Sequence, residues 1–274
     1  MLSYLKAFID GYLIKYYDRI IHFKKNRFYS ISFTHRLLEG IEIINNAPLS
    51  DLRDPQKLVD IIRRIGLTYD SRGFEIYGKD SEYMLPPVNL FRAVSPDPFY
   101  VGRGGLWQIP QELAECLIYL SKEKIHSFLE IGTWQGWTSS IFVSYLLKFN
   151  KTIEALTIDP KKHFSAYRQV KKRIPLKYKK ISSERLKGKM YDICFIDADH
   201  RYLAVKNDFE NVGKFSRISI YHDIYDHSLG VFKFWNEIKK IKINDYDFKE
   251  FLYHSEGKDF MGIGLMKKKE QRNS

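Results

Sequence analysis

Three short tracts hold the residues whose types and spacing suit chemistry. The first is FLEIGTWQGWT, residues 128–138. A buried apolar run delivers Glu130 and Gly132 to its carboxyl end, and Gly136 lets the following helix come close. Glycines at such a bend let the backbone touch a ligand where a side chain would obstruct it. Asp159 closes the next apolar run and is placed to accept hydrogen bonds from ribose hydroxyls. A dinucleotide fold would ask for a second glycine at position 134 so that a pyrophosphate can approach, and Trp134 stands there instead. An acid two residues before the first glycine suits a cofactor with an ammonium group and no phosphate.

The second tract is YDICFIDADHRY, residues 191–202, and the third is IYHDIYDH, residues 220–227. Both place acids and histidines at the carboxyl ends of apolar runs. Asp197, Asp199, His200, His222 and Asp223 should therefore converge on the rim of one crevice. Adjacent strands lie only about 5 Å apart, which brings a shared divalent-cation site within reach.

These tracts need a scaffold that aligns strand ends, and the pattern from Gln108 onward supplies one. A helix (PQELAECLIYLSK) precedes the buried run IHSFLEI, and a helix with Phe142, Tyr145, Leu146 and Phe149 on one face follows the glycine bend. Next come the strand TIEALTI, a basic helix, a short strand near Tyr178 to Ile181, and YDICFID, a continuous apolar run of the kind buried in a parallel sheet. A helix carrying Tyr202, Val205, Phe209 and Val212, the strand ISIYHD, a helix around Phe232 to Ile238 and an antiparallel pair, DFKEFLYH and FMGIGLMKK, complete the chain. Alternation of this sort predicts an α/β, Rossmann-like, doubly wound and mostly parallel sheet with its ligand site above the carboxyl strand ends.

Residues 106–274 form this domain, and residues 1–105 read as a helical extension with a substrate or lid loop. In the extension, DPQKLVDIIRRIG predicts a helix capped by Asp54, with Leu58, Ile61, Ile62 and Ile65 on one face and Gly66 as its stop. Residues 3–24 have the spacing of a basic amphipathic helix. It packs on its own domain, or docks through residues 1–27 to a membrane surface or a second copy to give a homodimer. Asp10 and Asp18 interrupt its apolar run, which argues against an address signal. Residues 83–107, with four prolines, GRGG, Arg103 and Trp107, form a candidate lid over the acceptor.

Composition sets outer bounds. A hydrophobic share of 44% allows a packed core, and no uninterrupted apolar run is long enough to span a bilayer. Cys116 and Cys194 both sit in apolar patterns, as expected of a reduced, cytoplasmic protein. Nearly all of the net charge of +12 comes from Lys161 to Lys189, where twelve Lys or Arg face the single acid Glu184. That face is a solvated surface or a landing site for anionic lipid or nucleic acid.

Glu130-Ile131-Gly132-Thr133 with Gly136, Asp159-Pro160, the tract Phe195 to Tyr202 with Asp208, and His222-Asp223 together resemble the class I methyltransferases of the family called methyltransferase 24. That family is related to macrolide-sugar O-methyltransferases and the cephalosporin-hydroxylase-like group. The resemblance covers about residues 105–266. It implies a seven-stranded sheet with an antiparallel terminal strand, and S-adenosylmethionine held by Glu130, the Gly132 to Gly136 backbone with Thr133 and Trp134, Asp159, Ser183 and Asp197. It also implies Mg2+ or another divalent cation on Asp197 and Asp223, and a histidine, His200, as base. Where similar enzymes carry a further acid, this chain has His222, a ligand or second base. The implied reaction is O-methyl transfer to a sugar- or glycan-type hydroxyl.

Three rivals stand beside it: a nucleic-acid methyltransferase using the 161–189 face, for which no Asn/Asp-Pro-Pro-Tyr/Phe tract is found; a non-catalytic binding module; and a hydroxylase using His200, His222 and Asp223.

Overall fold

A computed structural model describes residues 34, 37–65, 68–69, 76–77, 106, 108–161, 164, 166–253 and 261–270. The expected helix over residues 3–24, the Gly66 stop, the loop 83–105, and Arg103 and Trp107 lie outside the described residues.

Helices α1 (37–46), α2 (Leu49–Arg53) and α3 (Pro55–Ile65) come first. Asp54 caps α3 as expected, its carboxylate accepting the Lys57 N–H at 2.9 Å. Leu58, Ile61, Ile62 and Ile65 are all buried. Two short strands, β1 (Thr68–Tyr69) and β2 (Ile76–Tyr77), pair antiparallel. Beyond them α4 (Pro110–Leu120) leads into a seven-stranded sheet.

The strands are β3 (Ser127–Ile131), β4 (Glu154–Ile158), β5 (Leu176–Lys179), β6 (Ile193–Ile196), β7 (Ile218–His222), β8 (Tyr246–Phe251) and β9 (Ile263–Lys268). Their order is β5-β4-β3-β6-β7-β9-β8, and β9 alone runs against the rest. Strand order reverses between β3 and β6, so the crevice expected at a topological switch point opens above these two strands. The helices between strands are α5 (Trp137–Leu147), the single turn α6 (Tyr167–Val170), α7 (Tyr202–Asn211) and α8 (Gly230–Ile241).

Period-two alternation divides the core. Phe128, Phe195, Ile220 and Leu265 face the layer formed by α1 to α5, with Leu58, Ile62, Leu117 and Phe142. Their neighbours Leu129, Cys194, Tyr221 and Met266 face α7 and α8, with Phe209, Phe234 and Trp235. Strands buried on both faces read as unbroken apolar runs, which is why YDICFID was legible. Cys116 and Cys194 are buried free thiols.

The structure differs from expectation at the edge of the sheet. β5 spans Leu176–Lys179 rather than residues near 178–181, because Lys177 and Lys179 project from an edge strand and leave little apolar pattern to read. The expected basic helix before it reduces to the four residues of α6. Among the described residues, no helix is long and apolar enough to cross a membrane.

Candidate active site

The glycine bend forms because β3 must turn sharply into α5 between two neighbouring strand ends. Gly132 has φ 103°, and a Cβ there would lie 2.1 Å from the Asp197 carbonyl oxygen, so no side chain fits. Its N–H and that of Thr133 bond the Ile158 carbonyl at 2.9 and 3.2 Å. Gly136, at φ 78°, precedes α5 and lies against the Phe164 ring. Trp134 is left-handed at φ 41°, unusual for a bulky residue, and its N–H donates to the Asp159 carboxylate at 3.1 Å. Asp159 also accepts the Lys161 N–H at 2.7 Å, so the end of β4 and the bend are tied together.

Glu130 lies beneath this bend at 1% exposure. Thr157 donates to its carboxylate at 2.5 Å and itself meets Thr133 at 2.6 Å. Burial pushes Glu130 up to about 8, against the opposing hydrogen bonds of Thr157 and Ser139. From this position it braces the turn from β3 into α5. The fold takes up a proton at Glu130 between its ordinary 4.5 and about 8, so its contribution to stability is full below the lower value and is lost as pH rises through the upper one. Glu130→Gln, neutral throughout, is expected to melt higher relative to the parent at about pH 9 than at about pH 6 in paired thermal scans. An unchanged difference would contradict a buried, proton-holding Glu130.

A cavity of about 560 Å³ opens beside the bend, lined by Gly132, Ile158, Pro160, Ser183, Ala198 and Asp208 among others. Ser183 donates to Asp208 at 2.5 Å and accepts from Asn211 at 3.1 Å. Burial pushes Asp208 up to about 6. Of the residues expected to hold a cofactor, Gly132 and Ser183 line this space and Asp159 sits between two residues that do. Thr133, 3% exposed, turns its hydroxyl inward to Thr157.

At the ends of β6 and β7 the expected cluster is assembled. His200 Nε2 lies 2.9 Å from Asp223 and 3.5 Å from Asp197. His222 Nδ1 lies 3.4 Å from Asp197 and 3.5 Å from Asp223. Asp223 adopts a left-handed φ of 59°, which turns its carboxylate off the line of β7 toward His200. Burial alone would raise Asp197, yet the two neighbouring imidazoles hold it down at about 2, and they hold Asp223 lower still. The same contacts, to Asp197 and Asp223, raise His200 to about 10, and His222 is raised despite its burial.

Asp197, His200 and Asp223 each offer a donor atom within 4.8 Å of the others, a spacing one cation can bridge. His200 thus stands as third donor where His222 was expected. His222, 4% exposed, lies behind the group, and its Nε2 is buried without a hydrogen-bond partner among the described residues. Asp199 lines the cavity and pairs with Arg201.

Two residues escaped the sequence reading. Gln108, fully buried, donates from Nε2 to Asp197 at 3.3 Å. Glu112, 1% exposed on α4, accepts the N–H groups of Tyr253 at 2.9 Å and Gly262 at 3.1 Å. The available signal was polarity out of place: α4 buries Leu113, Cys116 and Leu117, and Glu112 shares that buried surface.

A glycine bend between two strand ends, a cavity beside it and the strand order β5-β4-β3-β6-β7-β9-β8 define a Rossmann-like, doubly wound α/β fold with its crevice at the switch point. Residues 129–219 match the family described as a methyltransferase domain. Among solved structures, the chain is similar to the Bacillus cereus O-methyltransferase in complex with SAH, at 16% identity and a TM-score of 0.47 over 70% of this chain and 93% of that one. It is also similar to the SAH-bound Podospora anserina methyltransferase PaMTH1, at 16% identity and a TM-score of 0.45 over 67% and 86%. A third is the Streptomyces achromogenes O-methyltransferase TomG, involved in tomaymycin synthesis, in complex with SAM, at 15% identity and a TM-score of 0.46 over 61% and 82%. No curated protein matches the sequence.

Proposed function

We propose that this chain transfers the methyl group of S-adenosylmethionine to a hydroxyl of a sugar- or glycan-type acceptor, assisted by a divalent cation. The observation that carries the reading is a cofactor-sized cavity adjoining a cluster of two carboxylates and two imidazoles, with Gly132 packed directly on the Asp197 backbone between them. A volume of about 560 Å³ falls in the ordinary range for a small-molecule site.

S-adenosylmethionine fits the bend on two counts: Gly132 lines the cavity with no side chain to obstruct a ligand, and Asp159 stands at the end of β4. It would supply an electrophilic methyl carbon on a sulfonium. Asp197, Asp223 and His200 fit a cation such as Mg2+, Mn2+ or Zn2+ by donor type and spacing. A cation held there would lower the pKa of an acceptor hydroxyl. The chain's own contribution is to hold the acceptor oxygen in line with carbon and sulfur. His200 would take the hydroxyl proton where a cation rests on Asp197 and Asp223 and leaves its Nε2 free. His222 backs both carboxylates from inside the sheet and is the second base in reserve.

Labelled S-adenosylmethionine should pass its methyl group to members of a panel of nucleotide sugars, oligosaccharides and lipid-linked glycans, and a chelator should stop the transfer. Transfer unaffected by chelator removes the cation from the account; label on nucleic acid alone removes the sugar. The second outcome has one observation behind it. Every described Lys and Arg from Lys161 to Lys189 is exposed, and among the described residues only Arg173 has an acid partner, Glu42. A steep salt slope in filter binding of RNA or DNA would favour that reading.

A further inference from the structure

Helix α4 and its lead-in touch both carboxylates of the cluster, one directly and one through the backbone. Gln108 Nε2 reaches Asp197 Oδ2 at 3.3 Å. Glu112 reaches Asp223 by a longer route. Its two carboxylate oxygens accept one N–H each, from Tyr253 and from Gly262. Gly262 in turn accepts the Ile224 N–H through its carbonyl at 3.3 Å, and the Met261 carbonyl accepts the Tyr225 N–H at 2.8 Å. Ile224 and Tyr225 directly follow Asp223.

This junction is backbone under constraint. Asp223, Met261 and Gly262 all have positive φ, at 59°, 55° and 89°. A Cβ on Gly262 would come within 2.8 Å of Leu252 and 3.1 Å of Ile224, so the two segments are as close as glycine allows. A left-handed conformation in a non-glycine residue persists only where its surroundings over-determine it. The Glu112 carboxylate is the buried acceptor that pins the Gly262 side of that junction.

We infer that Glu112 and Gln108 are positioning residues that together fix the separation and direction of Asp197 and Asp223. Gln108 orients Asp197 by holding one oxygen and leaving the other to the histidines. Glu112 orients Asp223 by holding Gly262, and through it Ile224, in the arrangement that keeps Asp223 left-handed. Both lie outside the segment that matches the methyltransferase family, so this chain's own helix sets the geometry of the pair. The role of the pair in catalysis rests on the function proposed above; the positioning itself does not.

Glu112→Gln tests it. The substitution keeps the shape but sets an amide NH2 against one backbone N–H, so one of the two hydrogen bonds is lost. In ligand-free protein, amide exchange at Ile224 and Tyr225 should speed up by about tenfold while Trp134 is unchanged, and the ring chemical shifts of His200 should move. Mn2+ affinity should weaken by about tenfold or more, as for other residues that orient metal ligands, with SAH affinity held within about twofold. Gln108→Leu, acting on Asp197 alone, should move the His200 shifts without touching exchange at Ile224, and it carries the test if Glu112→Gln does not fold. Unmoved His200 shifts in both variants overturn the inference. So does a loss of SAH affinity as large as that of Mn2+, since that marks general loosening. If the parent binds no Mn2+, the cation in the proposed function fails, and exchange and ring shifts still decide the positioning role.

Discussion

Asp223→Asn is expected to slow methyl transfer by about a thousandfold or more while SAH affinity stays within about twofold. Asparagine tolerates the left-handed backbone at this position, so the fold should survive. What is lost is charge. Asp223 is the nearest partner of His200 at 2.9 Å and one of three donors spaced for a cation, and a neutral amide serves neither purpose well. Distance from the bend argues for intact cofactor binding, because Asp159, Gly132 and Ser183 belong to other strand ends. Initial rates with labelled S-adenosylmethionine, paired with calorimetry on SAH, separate the two effects. A variant that turns over at the parent rate removes Asp223 from the reacting site.

The second large effect is expected at the bend. Gly132→Ala should lower SAH affinity by about a hundredfold and cost more than about 2 kcal/mol of stability. The new methyl group has nowhere to go: its neighbour at 2.1 Å is the Asp197 backbone, which β6 holds in register with β3. Moving that backbone would also displace Asp197 from His200 and His222. Gly136→Ala meets the Phe164 ring, a side chain able to shift, and should cost less. Thermal melts and SAH titrations of the two variants side by side check the order. Equal tolerance at both positions would mean the bend is looser than its geometry implies.

Much of this architecture was legible because the informative strands are central. β3, β6 and β7 are buried on both faces, so they read as apolar runs that stop at acids and histidines, and those stops mark the strand ends where a ligand sits. β5 was misplaced for the converse reason: at an edge, Lys177 and Lys179 replace the pattern. The convergence of Asp197, His200, His222 and Asp223 followed from strand-end position alone, but their order of approach did not. Asp223 is left-handed there, and the donor group spaced for a cation takes in His200, which the pattern did not reveal. Gln108 and Glu112 stayed hidden because they act across about ninety to one hundred and fifty residues of sequence, on partners that only the folded chain brings near. Glu130 was read as a cofactor contact at the bend, and its burial under Thr157 is a fact of packing that spacing cannot reveal.

The cavity beside Gly132 is expected to take an amino-acid-bearing adenosine. Calorimetric titration of the purified chain with SAH, followed in parallel by the fluorescence of exposed Trp134, tests it most directly. One molecule per chain should bind with micromolar affinity, and Asp159→Ala should weaken it. No heat and no change in fluorescence at millimolar SAH would contradict the account at its root.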